Sequence, residues 1–412
     1  MLKNISLIAR NTWMLVTFLI ISCDNTKDAH PINVIPLASA VGKYNILNLS
    51  DYVSEIKYIP LETNDSVLIG EIRQINYENE KILIGDHTGN CYLFNNNGKF
   101  IRKIGKRGQG PNEYLFLNQA IIHENLIYLK DAVKMLIYDF NGSLVDNINL
   151  RSNGIPAEYR CLKILPLKNN TFIMDVAIMG NGYYPKALLF ETYQSKVKII
   201  NEYPNHIKLD KSYSFFSSLE TAIMYRFNDG IRTYKSINDT IFTINHNMEI
   251  KDAFIFDLGK YRPSLSFLEG KESYNGDFIT PRNIFESHNR LFLEFGFHNF
   301  APEAFERPSE IGSVIPIWTI DYVFSVFDKL SGKLSLMKQP IKEKLGFKND
   351  IDNGPVIWPH YLSSNNEFVT YISVEEFMDY YVKIEKPNSQ MTIIAQIISC
   401  DDNQIVIIAK LR

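Results

Sequence analysis

Internal repetition constrains this chain more than any other feature, because a period of a few tens of residues demands a small unit that stacks on copies of itself. The segment from Leu83 to Phe100 aligns with that from Tyr128 to Leu144: an apolar run ending in aspartate, a short break, a second apolar run, then Asn or Asp and a glycine. Asp86 and Asp131 lie 45 positions apart, and Gly98 and Gly142 lie 44 apart. A fainter copy of the second half runs from Val326 to Leu334. Each copy reads as two strands joined by a tight turn, closing where positive φ is needed. The unit is a β-meander.

Strands of the same kind are expected at Lys81–Gly85, Thr171–Val176, Lys186–Glu191, Thr240–Ile244, Ala253–Asp257, Leu291–Phe295 and Asn403–Leu411. They are rich in Ile, Phe, Tyr and Val and are punctuated by Gly, Asn, Asp and Pro. The expected fold is all-β: a β-propeller of four-stranded antiparallel blades, each burying both faces against its neighbours. Residues 50–412, divided by a period of about 40 to 60, give roughly six to eight blades. Tyr52–Glu62 and Asn403–Leu411 are both strand-like, and their pairing in the last blade would close the ring and remove an open sheet edge. One helix is expected. Ser373-Val374-Glu375-Glu376 has the form of a capping box, and Phe377, Tyr380, Tyr381 and Ile384 follow at helical spacing. So short a helix cannot form its own core, so it should pack on the propeller as an insertion.

The N-terminus is different in kind. Lys3 and Arg10 are the only charges before Cys23, and the run from Trp13 to Ile21 is nearly all apolar. That is too short for a spanning helix and fits a signal peptide over residues 1–22. Its end, Ile20-Ile21-Ser22-Cys23, resembles the lipobox of bacterial lipoproteins, which implies an acylated Cys23 as the membrane anchor. Residues 23–49 are then a lipidated tether and residues 50–412 the propeller. The expected location is the bacterial cell envelope, with the outer membrane favoured and the periplasmic or surface face open.

Charge excludes one class of partner. The chain has 43 basic and 46 acidic residues, a formal charge of −3, spread without a basic stripe, so nucleic acid is not an expected ligand. Removing Lys3 and Arg10 with the signal peptide leaves 41 against 46, about −5. Cys91, Cys161 and Cys400 form no C-x-x-C pair and read as buried thiols, with one disulfide left open.

Motifs for chemistry are few. Gly105-Lys106-Arg107-Gly108-Gln109-Gly110 has neither phosphate-loop spacing and is read as a crossing loop between blades. In Asn349-Asp350-Ile351-Asp352-Asn353-Gly354 the glycine falls one place early for a calcium loop, and Tyr361 stands where a bidentate Glu is required. A polar turn before a buried Trp358 is expected there. The histidines are isolated, with His298 and His360 read first as structural, so neither a metal nor a cofactor is expected. No nucleophile elbow is present.

Several stretches resemble one family. Tyr58-Ile59-Pro60-Leu61-Glu62-Thr63 with Leu68–Ile72 looks like a first blade, and Gly98–Tyr114 is similar to the most recognisable motif. Asn238–Phe242 with Phe256–Tyr261, Asn349–Pro359 and Asp401–Ile408 complete the set. These resemble the six-bladed β-propeller lipoproteins abundant in Bacteroidetes, related in shape to TolB-like and NHL propellers. Gln404 stands where the family usually has Pro. The resemblance implies six blades and no particular activity.

The functional expectation is a non-enzymatic binding or scaffold platform for a peptide, protein or glycan. The alternative is a hydrolase or lyase acting on an extracellular polymer at the channel mouth, which predicts clustered carboxylates of raised pKa. No catalytic residue is assigned. The candidate binding residues flank turns near the ends of blades: Arg107, Glu113, Tyr114, Trp318, Trp358 and His360. Arg107 and Glu113 have a second reading, as an ion pair between blades.

Overall fold

The computed structural model describes residues 33–412, except 152–153, 157–158, 169, 179–184, 205–221, 236–237, 265–271, 273–274 and 309–316. Six sheets form the blades of a propeller. The chain enters through β1 (Asn33–Ile35), β2 (Tyr44–Asn45) and β3 (Val53–Pro60). Blade 1 is β4 (Ile72–Glu78), β5 (Lys81–Asp86), β6 (Cys91–Asn95) and β7 (Phe100–Lys103). Blade 2 is β8 (Gln119–His123), β9 (Leu126–Lys130), β10 (Lys134–Asp139) and β11 (Leu144–Asn149). Blade 3 is β12 (Tyr159–Lys168), β13 (Thr171–Ile178), β14 (Pro185–Tyr193) and β15 (Lys196–Pro204). Blade 4 is β16 (Ala222–Phe227), β17 (Gly230–Lys235), β18 (Thr240–Ile244) and β19 (Ile250–Phe256).

The last two blades carry insertions. In blade 5, β20 (Thr280–Glu286) and β21 (Arg290–Gly296) are followed by a separate hairpin, β22 (Phe305–Pro308) with β23 (Ile317–Ile320), before β24 (Tyr322–Asp328) and β25 (Leu334–Met337). In blade 6, β26 (Tyr361–Leu362) and β27 (Glu367–Ile372) precede helices α1 (Val374–Tyr381) and α2 (Ser389–Ile397), and β28 (Ile405–Leu411) follows. The capping box is formed: Ser373 Oγ accepts from Glu376 N at 3.0 Å, and Phe377 is buried. Helix α2, capped by Asn388 accepting from Met391 N at 2.8 Å, has no comparable sequence signature and was not expected.

Closure follows the expected scheme. β3 is the outermost strand of blade 6, antiparallel to β28, with Ile405 opposite Pro60 and Ala409 opposite Ile56. The two chain ends thereby hold one blade shut, and the edge of β28 is covered by β3. Two blades depart from the four-stranded expectation. Residues 33–49, expected within the tether, lie on the propeller: β1 adds in parallel to the outer edge of blade 4 and β2 to that of blade 5. A fifth strand there covers backbone groups that would otherwise be open to pairing with another chain.

The repeat is a hydrogen-bond motif. Asp86 Oδ1 accepts from Asn90 N at 2.9 Å, and Asp131 Oδ1 accepts from Val133 N at 2.8 Å, so each aspartate closes the turn after the second strand. Gly98, Gly142 and Gly332 all have positive φ, at 78°, 74° and 68°. Gly98 is doubly constrained, because a Cβ there would also collide with the Pro60 carbonyl of the closing strand.

Blades pack through apolar faces. Ile75, Ile82 and Ile84 of blade 1 meet Val369, Val406 and Ile408 of blade 6, and an aromatic cluster joins blades 5 and 6, with Phe292 and Phe368 edge to face at 4.5 Å. Side-chain amides tie inner strands together around the ring. Gln74 Oε1 accepts from Ala120 N at 2.6 Å, and Gln119 spans to Ile164 N and O at 2.9 and 2.8 Å. Cys91 is buried, Cys161 half-buried and Cys400 exposed, all as free thiols; the expectation of burial fails at Cys400, which sits in the turn before β28.

Candidate functional site

The first strand of every blade faces the central channel, and the wall they form encloses a cavity of about 660 Å³. It opens among the turns that join first to second strands, where Asn79, Glu124, Asn228, His288 and Ser364 stand. Because each blade contributes only a few inward positions, the site is assembled from residues far apart in the chain.

Its electrostatics divide by blade. On blade 5, Glu286 is 5% exposed and fully engaged: Arg232 grips it through Nε at 2.9 Å and Nη2 at 3.1 Å, Lys329 Nζ lies at 2.7 Å, and Tyr225 donates at 2.9 Å. Burial, reinforced by that carboxylate, raises the Tyr225 pKa and keeps its hydroxyl a donor. Between blades 1 and 6, Glu78 accepts from the Tyr361 hydroxyl at 2.7 Å and from Ser364 N at 2.9 Å. His123 of blade 2 is held down to about 4 by burial, with Arg226 adding to the effect, so it is neutral at physiological pH. Arg226 of blade 4 donates to the Pro166 carbonyl, and Lys163 of blade 3 is lowered to about 8 by burial, against the pull of Asp175.

Of the six residues expected from sequence, His360 alone lines this cavity. It is open to the channel, yet surrounding protein desolvates the ring enough to lower its pKa; Nδ1 lies 2.7 Å from Thr370 Oγ1. Trp358 is in the blade 5–6 core, stacked on Phe324 at 4.4 Å, and its Nε1–H donates to Glu294 Oε1 at 2.7 Å. Burial raises Glu294 to about 7. Tyr114 is 2% exposed and belongs to the core between blades 1 and 2. Trp318 is 58% exposed on the blade 5 hairpin, opposite Arg307.

The remaining two lie in the glycine-rich loop, which crosses from blade 1 to blade 2 as expected. Glu113 folds back into the loop, accepting from Gly110 N at 2.9 Å and pairing with Lys106 at 2.8 Å. Arg107 donates instead to the Thr88 carbonyl at 2.9 Å, so the expected pair between Arg107 and Glu113 is replaced by one with Lys106. A Cβ at Gly108 would meet the Glu113 carboxylate, so the glycine lets that side chain fold back over the loop. The turn at Asn349–Gly354 likewise precedes a buried tryptophan: Asp352 accepts from Tyr58 and Gly354 N, and Asp350 from Ser50.

Sequence reading missed Glu78, His123, Lys163, Arg226 and Glu286. One signal was available: Glu78 and His123 are 45 positions apart, the spacing of Asp86 and Asp131, as are Gln74 and Gln119. Among the described residues, no three His, Cys, Asp or Glu side chains gather closely enough to hold a metal ion. Among the same residues, no helix is long and apolar enough to cross a membrane. Cys23 lies outside the described residues.

Comparison with one solved structure agrees on the fold. A protein of Bacteroides fragilis NCTC 9343 described as exported superposes with a TM-score of 0.65 at 18% identity, over 92% of this chain and 99% of that one. A member of the DUF4221 family from Bacteroides vulgatus aligns with a TM-score of 0.48 at 11% identity, over 87% of this chain and 97% of that one. No protein of curated function matches the sequence. The model of the family DUF4934, a domain of unknown function, matches residues 32–410, and the chain belongs to that family.

Proposed function

We propose that this chain is an envelope lipoprotein, anchored through acylated Cys23, whose propeller binds a peptide, protein segment or glycan at the central cavity without turning it over. The observation that carries this reading is the cavity itself, which is walled by all six blades and lined by amides, a hydroxyl and rings such as Asn76, Asn283, Ser363, Phe227 and His360, set between its charged side chains. Such a mixture suits a ligand with hydroxyl or amide groups, and a rigid wall spares the cost of ordering a site on binding. Glu286 and Glu78 are spent on protein donors, so neither stands as a free acid or base facing the ligand. The alternative hydrolase or lyase predicts clustered carboxylates of raised pKa; Glu294 has the raised pKa but is committed to Trp358 and Asn283.

Glycan and peptide arrays probed with the mature chain test this. Binding should fall in His288→Ala and His360→Ala and persist in Arg107→Ala and Trp318→Ala. The reverse pattern, with binding lost in the second pair and kept in the first, refutes the cavity as the site. Fatty-acid labelling that is lost in Cys23→Ala tests the anchor; labelling that survives the substitution refutes it.

A further inference from the structure

Blades 2 to 4 hold an imbalance of buried charge. Lys130, Lys186 and Lys235 are 2%, 3% and 5% exposed, Lys163 is half-buried on the cavity wall, and two carboxylates are buried with them: Asp175, and Asp131, which accepts from the backbone of its own turn. Lys235 pairs with Asp175 at 3.2 Å, and Lys130 donates to the Cys161 carbonyl at 3.1 Å. Lys186 Nζ stands 3.2 Å from the Phe242 ring centroid and has no hydrogen-bond acceptor among the described residues. Asp252 favours the Lys186 ammonium, and Asp175 that of Lys163, each from beyond ion-pair distance. A buried cation is costly unless an anion answers it, and here four ammonium groups outnumber two carboxylates.

We propose that the blade 3 wall of the channel is an oxyanion site, in which Lys163 receives a ligand carboxylate or phosphate from the cavity and Lys235, Asp175 and Lys186 stand behind it. Of the four lysines, Lys163 alone lines the cavity, so it is where an anion from solution arrives. Of the three carboxylates that line the cavity, Glu286 is neutralised by Arg232 and Lys329, and Glu78 and Glu124 stand on blades 1 and 2, off the blade 3 wall. Burial lowers both Lys163 and Lys186 to about 8, as uncompensated ammonium groups require, and a bound anion would raise them. The inference rests on the cavity admitting ligand, and it names the charge that the ligand carries.

Calorimetric titration of the mature chain with sodium phosphate and with sodium succinate, each against sodium chloride at equal ionic strength, tests it. One saturable site is expected for at least one anion, with Kd on the order of 1 mM or tighter. Lys163→Met should weaken it about tenfold or more, and Lys163→Arg should retain it. Binding of phosphate alone identifies a phosphate-bearing ligand, and of succinate alone a carboxylate. If neither anion binds beyond chloride, or a folded Lys163→Met binds as well as the native chain, the proposal is wrong. Should Lys163→Met not fold, the test passes to protection of the Lys163 amine from acylation by either anion, read by peptide mass spectrometry; an unprotected amine overturns it. Array binding that survives while both anions fail removes this inference and leaves the cavity reading in place.

Discussion

The crossing loop at residues 105–114 and the channel wall of blades 3 and 4 are both rich in charge, and they handle it in opposite ways. In the loop each charge meets a partner nearby: Glu113 with Lys106 and Gly110 N, Arg107 with the Thr88 carbonyl. On the wall, lysines crowd a single carboxylate, and Lys163 faces a cavity without an ion-pair partner among the described residues. The conspicuous sequence motif is therefore a structural device, whereas the open chemistry sits on strands with no local signature. Self-satisfied charge stabilises a loop; unanswered charge is what a ligand can use.

The largest expected effect belongs to the loop side. Tyr114→Ala empties a buried position between blades 1 and 2 and should cost about 3 to 5 kcal/mol of stability, measured by denaturant unfolding. At temperatures where the variant is still folded, phosphate and succinate titrations should match the native chain. A specific loss of binding in folded Tyr114→Ala would break the comparison by giving the loop face a ligand role.

Next come two groups with opposite pH slopes. Glu294 titrates near 7 in the fold against an ordinary 4.5, so between those values the folded state holds more protons, and stability falls as pH rises. Glu294→Gln keeps an acceptor for Trp358 and should remove that loss, up to about 3 kcal/mol at pH 8. His123 is held near 4 against 6.5, so the unfolded state protonates first, and its contribution is lost as pH falls through that window. Unfolding free energies across pH 4 to 8 for native, Glu294→Gln and His123→Gln chains check both signs.

Smaller effects sharpen the wall. In anion-free buffer Lys163→Met should raise stability by about 1 kcal/mol, because it removes a desolvated cation while abolishing the proposed site. A fall in melting temperature would mean that Lys163 is already compensated. Trp318→Ala, at an exposed hairpin position, should change stability by less than about 0.5 kcal/mol.

What was legible in the sequence follows the same division. Blades 1 and 2 are readable because their turns need Asp at one place and glycine at another, and those demands recur at a fixed spacing. The closing strands are readable from alternation and apolar content alone. The strand expected at Thr240–Ile244 is observed with those bounds, whereas blades 5 and 6 are interrupted by a hairpin and two helices that break the period. β1 and β2 were invisible because strands of three and two residues are defined by parallel partners more than 200 positions away. Of the site, His360 was found because it flanks a turn near the end of a blade. The others are single inward positions on separate strands, recognisable only once the repeat offset is applied to Glu78 and His123.

The most direct measurement is the titration of individual lysine amines by NMR in the mature, isotope-labelled chain, with and without phosphate or succinate. Lys163 should titrate near 8 and move upward when anion is added, while Lys106, paired with Glu113, should titrate above its ordinary 10.5 and not respond. A Lys163 amine that titrates at the ordinary lysine value and ignores both anions would contradict the account.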